Sequence, residues 1–231
     1  MSKENFTSAL ILAAGLGSRM KSALTKQKMT LGGRSVLLRA TLAFEEAKSI
    51  DEIIVVAKED ELDFVHGELE QVSKLKCVVV GGATRFESAK RGFAAISEQS
   101  RYVAIHDAAR CLVSPRLIDE VSLSAYNFGA ASAVGLVNDT VKYVDGCAMI
   151  TKTVKREDLR LAQTPQTFDV ALYKKAISAV ENLEITDDNM LLERIGIPVF
   201  AVVNEEHNFK ITTKKDIEYA EFLIEKGYIN E

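Results

Sequence analysis

The 231-residue chain is 47% hydrophobic and 27% charged, and 29 Lys and Arg against 33 Asp and Glu give a formal net charge of -4. That is apolar material for one α/β-sized core or two small ones, while the acidic balance and 7% aromatic content exclude a broad cationic surface for nucleic acid. Any polyanion must therefore meet a local cluster of cations. Cys77, Cys111 and Cys147 lie far apart with no CxxC pair, which argues against a disulfide framework or a zinc site and for a reducing compartment.

The first strand-like run is Ala9 to Ala13. It is too short to span a bilayer and ends in glycines, not in a cleavage-site pattern, so the expectation is a cytoplasmic protein with no membrane contact. The run empties into Ala14-Gly15-Leu16-Gly17-Ser18-Arg19-Met20, followed by Lys26-Gln27. Backbone N–H groups at such a loop can approach phosphates, and Arg19 and Lys26 supply positive charge. The loop is not a Walker A sequence, and Met20 stands where a dinucleotide fingerprint needs its third glycine. Taken singly these residues read as a turn and a solvated surface; together at a strand end they read as a phosphate cradle.

Further apolar runs at Ile53 to Ala57, Cys77 to Val80, Tyr102 to Ile105, Ala130 to Leu136 and Val199 to Val203 alternate with helical periodicity. The helices are expected at Ser35 to Ala47, Leu62 to Val72, Arg85 to Ile96, Leu117 to Tyr126, Val170 to Val180 and Lys215 to Ile224. This rhythm predicts an α/β protein with a doubly wound, mostly parallel, Rossmann-like sheet covered on both faces. Its ligand crevice should lie at the carboxyl ends of the strands. With 3 Pro and no low-complexity stretch, a single domain over 1–231 is the simplest parse.

After the third strand, Gly81-Gly82-Ala83-Thr84-Arg85 leads to Ser88. Paired glycines let the backbone bond a base edge with Ser88 in reach, though a plain βα turn with Thr84 as N-cap reads equally well. After the fourth, Ile105-His106-Asp107-Ala108-Ala109-Arg110 places a carboxylate where Mg²⁺ or another hard divalent cation could be held together with substrate phosphate oxygens. Asp107 is assigned as that ligand, with a turn cap as the rival role. The three histidines have no metal-ligand spacing.

The segment Asn138 to Thr153 interrupts the pattern. Val141, Tyr143, Ala148 and Ile150 flank Asp145-Gly146, a dipeptide suited to a type I′ turn. An inserted hairpin with apolar side chains needs a covering surface. An edge hairpin on the same sheet is possible on this pattern; a dimer arm, at about 138–156, fits it slightly better.

In combination, LAAGLGSRM with Lys26-Gln27, GGATRFES, HDAAR, NDTVK, Thr164-Pro165-Gln166, Thr186-Asp187 and Asn208-Phe209-Lys210 resemble the 2-C-methyl-D-erythritol 4-phosphate cytidylyltransferase family of the non-mevalonate isoprenoid pathway, from about residue 8 to 226. The resemblance implies transfer of a cytidylyl group from CTP to 2-C-methyl-D-erythritol 4-phosphate, with release of pyrophosphate and formation of 4-diphosphocytidyl-2-C-methyl-D-erythritol. It further implies that Arg19, Lys26 and Lys210 surround the triphosphate as catalytic cations and that Asp107 holds Mg²⁺. Ala13, Ala14, Gly82 and Ser88 would read the cytosine, with Gly15, Gly17 and Arg85 in the CTP site. Arg110 and Thr186 would line the acceptor side, where Asp107 also serves, and Thr140 and Arg156 would reach the sugar phosphate from the arm of a second subunit. Thr25, Cys111 and Asp188 depart from the family's usual Pro, Pro and Glu. The rivals are a ribitol 5-phosphate cytidylyltransferase and a catalytically silent nucleotide-binding protein of the same fold.

Overall fold

A computed structural model describes residues 4–15, 25–179 and 185–229. The main sheet is built from β1 (Thr7–Leu12), β4 (Glu52–Ala57), β5 (Leu75–Val80), β6 (Tyr102–Asp107), β7 (Ala130–Leu136), β10 (Arg160–Asp169) and β11 (Phe200–Val203). Its order is β11-β7-β10-β6-β1-β4-β5. Two small ribbons stand apart from it, β2 (Thr30–Leu31) with β3 (Arg34–Ser35) and β8 (Lys142–Val144) with β9 (Ile150–Thr153).

The apolar runs are strands because both of their faces are buried. Ala9 and Ile11, Ile53 and Val55, and Tyr102 and Ala104 enter one core. The alternate residues Leu10 and Leu12, Ile54 and Val56, and Val103 and Ile105 enter a second core across the sheet. This is the period-two signature of a sheet covered on both sides. Helices α1 (Val36–Glu46), α2 (Leu62–Glu68) and α4 (Pro115–Phe128) contribute to the first core. Helices α3 (Arg85–Phe93), α5 (Val170–Ser178) and α6 (Asn189–Arg194) contribute to the second. A third cluster packs α7 (Lys214–Glu225) on β2, α1 and the Cys111-Leu112 segment.

The helix starts follow ordinary capping chemistry. Ser35, Thr84, Ser114 and Asp169 each accept a backbone N–H of the first turn, and Thr213 forms a reciprocal capping box with Asp216. Helix α4 stops at Gly129, whose φ of 81° takes the left-handed cap conformation.

Several elements differ from the sequence expectation, which contains neither α6 nor the β2–β3 ribbon. Strand β10 is not among the expected strands; it runs antiparallel to both β6 and β7, so the sheet is mixed with one reversed strand. Helix α2 is shorter than its periodicity suggests and gives way to turns after Glu68. In the inserted hairpin, Gly146 is not among the glycines with positive φ, so there is no two-residue type I′ turn. Instead the Asp145 side chain accepts the N–H groups of Cys147 and Met149, and Ala148 takes φ 61°. The hairpin pairs only with itself, which removes the same-sheet edge reading. Tyr143, Val144, Met149 and Ile150 are all more than half exposed on it.

Candidate active site

A cavity of about 670 Å³ opens at the carboxyl ends of β1, β4, β5 and β6, where the strand order changes direction across β1. The β1 end contributes Ala14 and Gly15, the β4 end Lys58 and Glu59, and the β5 end Gly81 to Arg85. Ser88, Asp107, Lys26, Gln27 and Lys210 also line the wall. Gly81 is required by packing, because a Cβ there would stand 2.4 Å from the Ala14 Cβ. Only glycine lets the β1 and β5 loops close together.

Asp107 lies between two cations. Its Oδ1 accepts Arg85 Nε at 3.0 Å and its Oδ2 accepts Lys210 Nζ at 2.7 Å. Arg85 continues to Asp188, with Nη1 to Oδ2 at 2.6 Å, and Asp188 Oδ1 accepts the Tyr173 hydroxyl at 2.6 Å. Burial alone would raise the Asp107 pKa, but Arg85 and Lys210 outweigh it and hold this carboxyl well below the usual carboxylate range. Asp107 is therefore an anion throughout the neutral range. Burial disfavours the charged Arg85, yet Asp188 and Asp107 raise its pKa above the ordinary guanidinium value.

The antiparallel strand supports this row of charges from one side. Thr164 Oγ1 accepts the Asp107 backbone N–H at 3.1 Å and lies 2.9 Å from His106 Nδ1. Burial pushes His106 down to about 3, so it serves as a neutral hydrogen-bonding group. Asn208 Nδ2 donates to the Thr164 carbonyl, and Arg110 Nη1 donates to the Asn208 carbonyl at 2.9 Å. Lys210 thus follows a segment anchored on β10. The Thr164–Pro165 peptide is cis.

Lys26 is 8% exposed in a single 3₁₀ turn, and its Nζ donates to the Ile211 carbonyl at 3.1 Å. Ala13 has its N–H on Val56 O and its carbonyl on Gln27 Nε2, so its polar groups serve the fold. Ser88 Oγ accepts the Gly82 N–H at 3.1 Å and donates to the Thr84 carbonyl, which shapes the loop proposed to meet a base. Thr84 is the N-cap of α3, as the plain βα-turn reading of that loop has it.

Of the expected residues, the structure thus gathers Ala14, Gly15, Lys26, Gly82, Arg85, Ser88, Asp107 and Lys210 around one cavity. Gly17 and Arg19 lie outside the described residues. Arg110 donates to the carbonyls of Asn208 and Ala162, its Nε has no partner among the described residues, and it does not line this cavity. Thr186 is exposed and bonded to Met190 Sδ. Thr140 and Arg156 are exposed on the arm, where Arg156 helps to wall a separate cavity with Asn138 and Arg160. The sequence reading gives no role to Lys58, Gln27, Thr164, Tyr173 or Asp188. Thr164, Tyr173 and Asp188 are polar groups buried by tertiary partners, which no local pattern announces.

Asp107 is the one carboxylate shared by this wall and the ion-pair row, and among the described residues no group of three or more His, Cys, Asp or Glu could hold a metal ion. Its permanent charge fits a hard cation bound through one protein carboxylate and completed by substrate oxygens. The fit requires Lys210 and Arg85 to share Asp107 with the ligand.

Cys111 is buried in the α7 cluster, and burial pushes its thiol up to about 12. Cys147 is exposed. Brief alkylation by iodoacetamide at pH 8, read by peptide mass spectrometry, is expected to label Cys147 and spare Cys111; rapid labelling of Cys111 would contradict its placement.

The family model "IspD: 2-C-methyl-D-erythritol 4-phosphate cytidylyltransferase" matches residues 7–226. The chain belongs to this family. It is 41% identical over 216 residues to 2-C-methyl-D-erythritol 4-phosphate cytidylyltransferase of Endomicrobium trichonymphae, covering 94% of this chain and 97% of that protein. The crystal structure of 4-diphosphocytidyl-2C-methyl-D-erythritol synthase from Anaerococcus prevotii superposes with a TM-score of 0.84 at 32% identity, covering 96% of each chain. The crystal structure of 2-C-methyl-D-erythritol 4-phosphate cytidylyltransferase from Thermus thermophilus gives 0.77 at 34%, with 94% of this chain and 98% of that one covered. As a member of this family the chain is a cytidylyltransferase, and the ribitol 5-phosphate rival is left without support.

Proposed function

We propose that the cavity at Asp107, Arg85 and Lys210 is where this cytidylyltransferase joins CTP to 2-C-methyl-D-erythritol 4-phosphate. An oxygen of the acceptor phosphate attacks the α-phosphorus of CTP, a new P–O bond forms, the α–β bond breaks and pyrophosphate leaves. The attacking oxygen is already ionised, so no protein base or nucleophile is needed. Catalysis then rests on alignment and charge. The observation that carries this reading is an ionised carboxylate flanked by two cations, Arg85 and Lys210, in a strand-end cavity that also holds Lys26.

Lys26, Lys210 and Arg19 meet the phosphates, the paired glycines and Ser88 meet the base, and Gly15 leaves room for the phosphate chain, since among the described residues no atom outside its own chain neighbours lies within 4 Å of where its Cβ would stand. Mg²⁺, when bound, would be held by Asp107 with CTP phosphate oxygens and would neutralise charge on the triphosphate. Pyrophosphate release from CTP is the test. Release is expected with 2-C-methyl-D-erythritol 4-phosphate and Mg²⁺, and little with ribitol 5-phosphate or after chelation. Absence of release with either acceptor would favour a silent nucleotide-binding protein.

The arm is proposed to pair two subunits and to bring Thr140 and Arg156 to the partner's acceptor phosphate. Its support is the isolated ribbon with four large apolar side chains exposed, a geometry that is marginal without a covering surface. Among the described residues no helix is long and apolar enough to cross a membrane. Sedimentation should give about twice the 25.4 kDa chain mass, and Ile150→Asp should shift it toward the monomer and reduce turnover. A monomeric, fully active wild type would overturn the arm's role.

A further inference from the structure

We propose that Asp188 is the positioning residue that keeps the Arg85 guanidinium in the cavity wall independently of Asp107, leaving Asp107 free to be shared with a ligand. This rests on the reading of the cavity as the nucleotide site. The Arg85 contact to Asp188, at 2.6 Å, is shorter than that to Asp107, at 3.0 Å. Asp188 itself has no exposed surface, whereas Asp107 stands at the cavity wall.

Asp188 is also fixed from behind. The Tyr173 hydroxyl donates to its Oδ1, and its own N–H donates to Gln166 Oε1 at 3.0 Å. Gln166 and Tyr173 are fully buried. The Tyr173 ring packs edge-on to Phe93 and stacks on Phe168, with centroids 5.0 and 5.3 Å apart. The carboxylate thus sits on a frame made by β10 and α5, neither of which needs to move when the cavity fills. If Arg85 had Asp107 as its sole counter-ion, a ligand engaging Asp107 would either drag the guanidinium with it or strand it in a largely buried place, which is costly. With Asp188 behind it, Arg85 keeps a partner throughout.

A simpler role would be a strut that neutralises a buried arginine and affects stability alone. The two differ in nucleotide affinity. The variants are Asp188→Asn, Asp188→Glu and Tyr173→Phe, measured for CTP binding by calorimetry without acceptor, for KM and kcat, and for thermal midpoint. Asp188→Asn lets Arg85 settle wholly on Asp107, so the CTP dissociation constant and KM are expected to rise roughly tenfold, the worth of one charge-assisted hydrogen bond. Asp188→Glu should recover most of that loss. Tyr173→Phe should move both constants the same way by a smaller factor, and it carries the test if Asp188→Asn does not fold. Unchanged CTP affinity and KM in folded variants, with only a lowered thermal midpoint, would overturn the proposal. Wild-type protein that binds CTP but transfers it to no acceptor would overturn the proposed reaction and leave this inference to the calorimetry.

Discussion

Replacing Lys26 by alanine is expected to lower kcat by roughly 10²- to 10³-fold, the scale of removing one well-aimed donor from a developing charge, with a change in KM for CTP of no more than a few fold. The asymmetry follows from where Lys26 stands. The residue is almost fully buried and its ammonium is held on the Ile211 carbonyl, one residue past Lys210. A buried cation positioned before the ligand arrives needs no reorganisation when charge shifts to the leaving pyrophosphate, so its contribution is greatest in the transition state. Stopped-flow or steady-state kinetics with varied CTP separates the two constants. Equal losses in kcat and affinity would instead make Lys26 a ground-state binding residue.

Asp107→Asn should have the second large effect, a fall in kcat of about 10³-fold or more, as expected when a charge that organises the reacting groups is removed. Affinity for CTP measured without Mg²⁺ should move the other way or stay level. The substitution leaves Lys210 without its acid and Arg85 with Asp188 alone, so the cavity becomes more positive and attracts CTP at least as well. Direct CTP titration together with single-turnover measurements would show this. A variant that loses binding of metal-free CTP in proportion to turnover would mark Asp107 as a structural ion-pair member only. Because Asp107 is depressed far below the ordinary carboxylate range, the acid limb of the wild-type pH profile should not come from this residue.

The strands that carry Ala14, Gly82 and Asp107 are legible because each is an apolar run buried on both faces, a pattern that survives in sequence without tertiary knowledge. Strand β10 is not, for a specific reason. Its sequence, RLAQTPQTFD, contains a proline, which argues against an interior strand, and its buried positions include Thr164, Gln166 and Thr167. Thr164 and Gln166 are polar because they tie down His106, the Asp107 backbone and Asp188, so the demands of the site override the hydrophobic pattern. The hairpin is visible as an insertion, but its turn is not the one its dipeptide suggests. Asp145 captures two backbone N–H groups, which the Asp-Gly dipeptide alone does not distinguish from a type I′ turn.

The cations can be named from sequence as residues, but their mutual arrangement is not readable there. Nothing local says that Arg85 reaches 22 residues ahead to Asp107 and 103 residues ahead to Asp188. The net charge of -4 conceals an ion-pair row, Lys210, Asp107, Arg85 and Asp188, in which two cations and two anions balance.

The most direct measurement of the central claim is a crystal structure with CTP and Mg²⁺. The account predicts the triphosphate against Lys26 and Lys210, the base beside Gly82 and Ser88, Asp107 shared between the ligand and its cations, and Arg85 still on Asp188. A nucleotide bound away from the carboxyl ends of β1, β5 and β6, with the Lys210–Asp107–Arg85 contacts undisturbed, would contradict it.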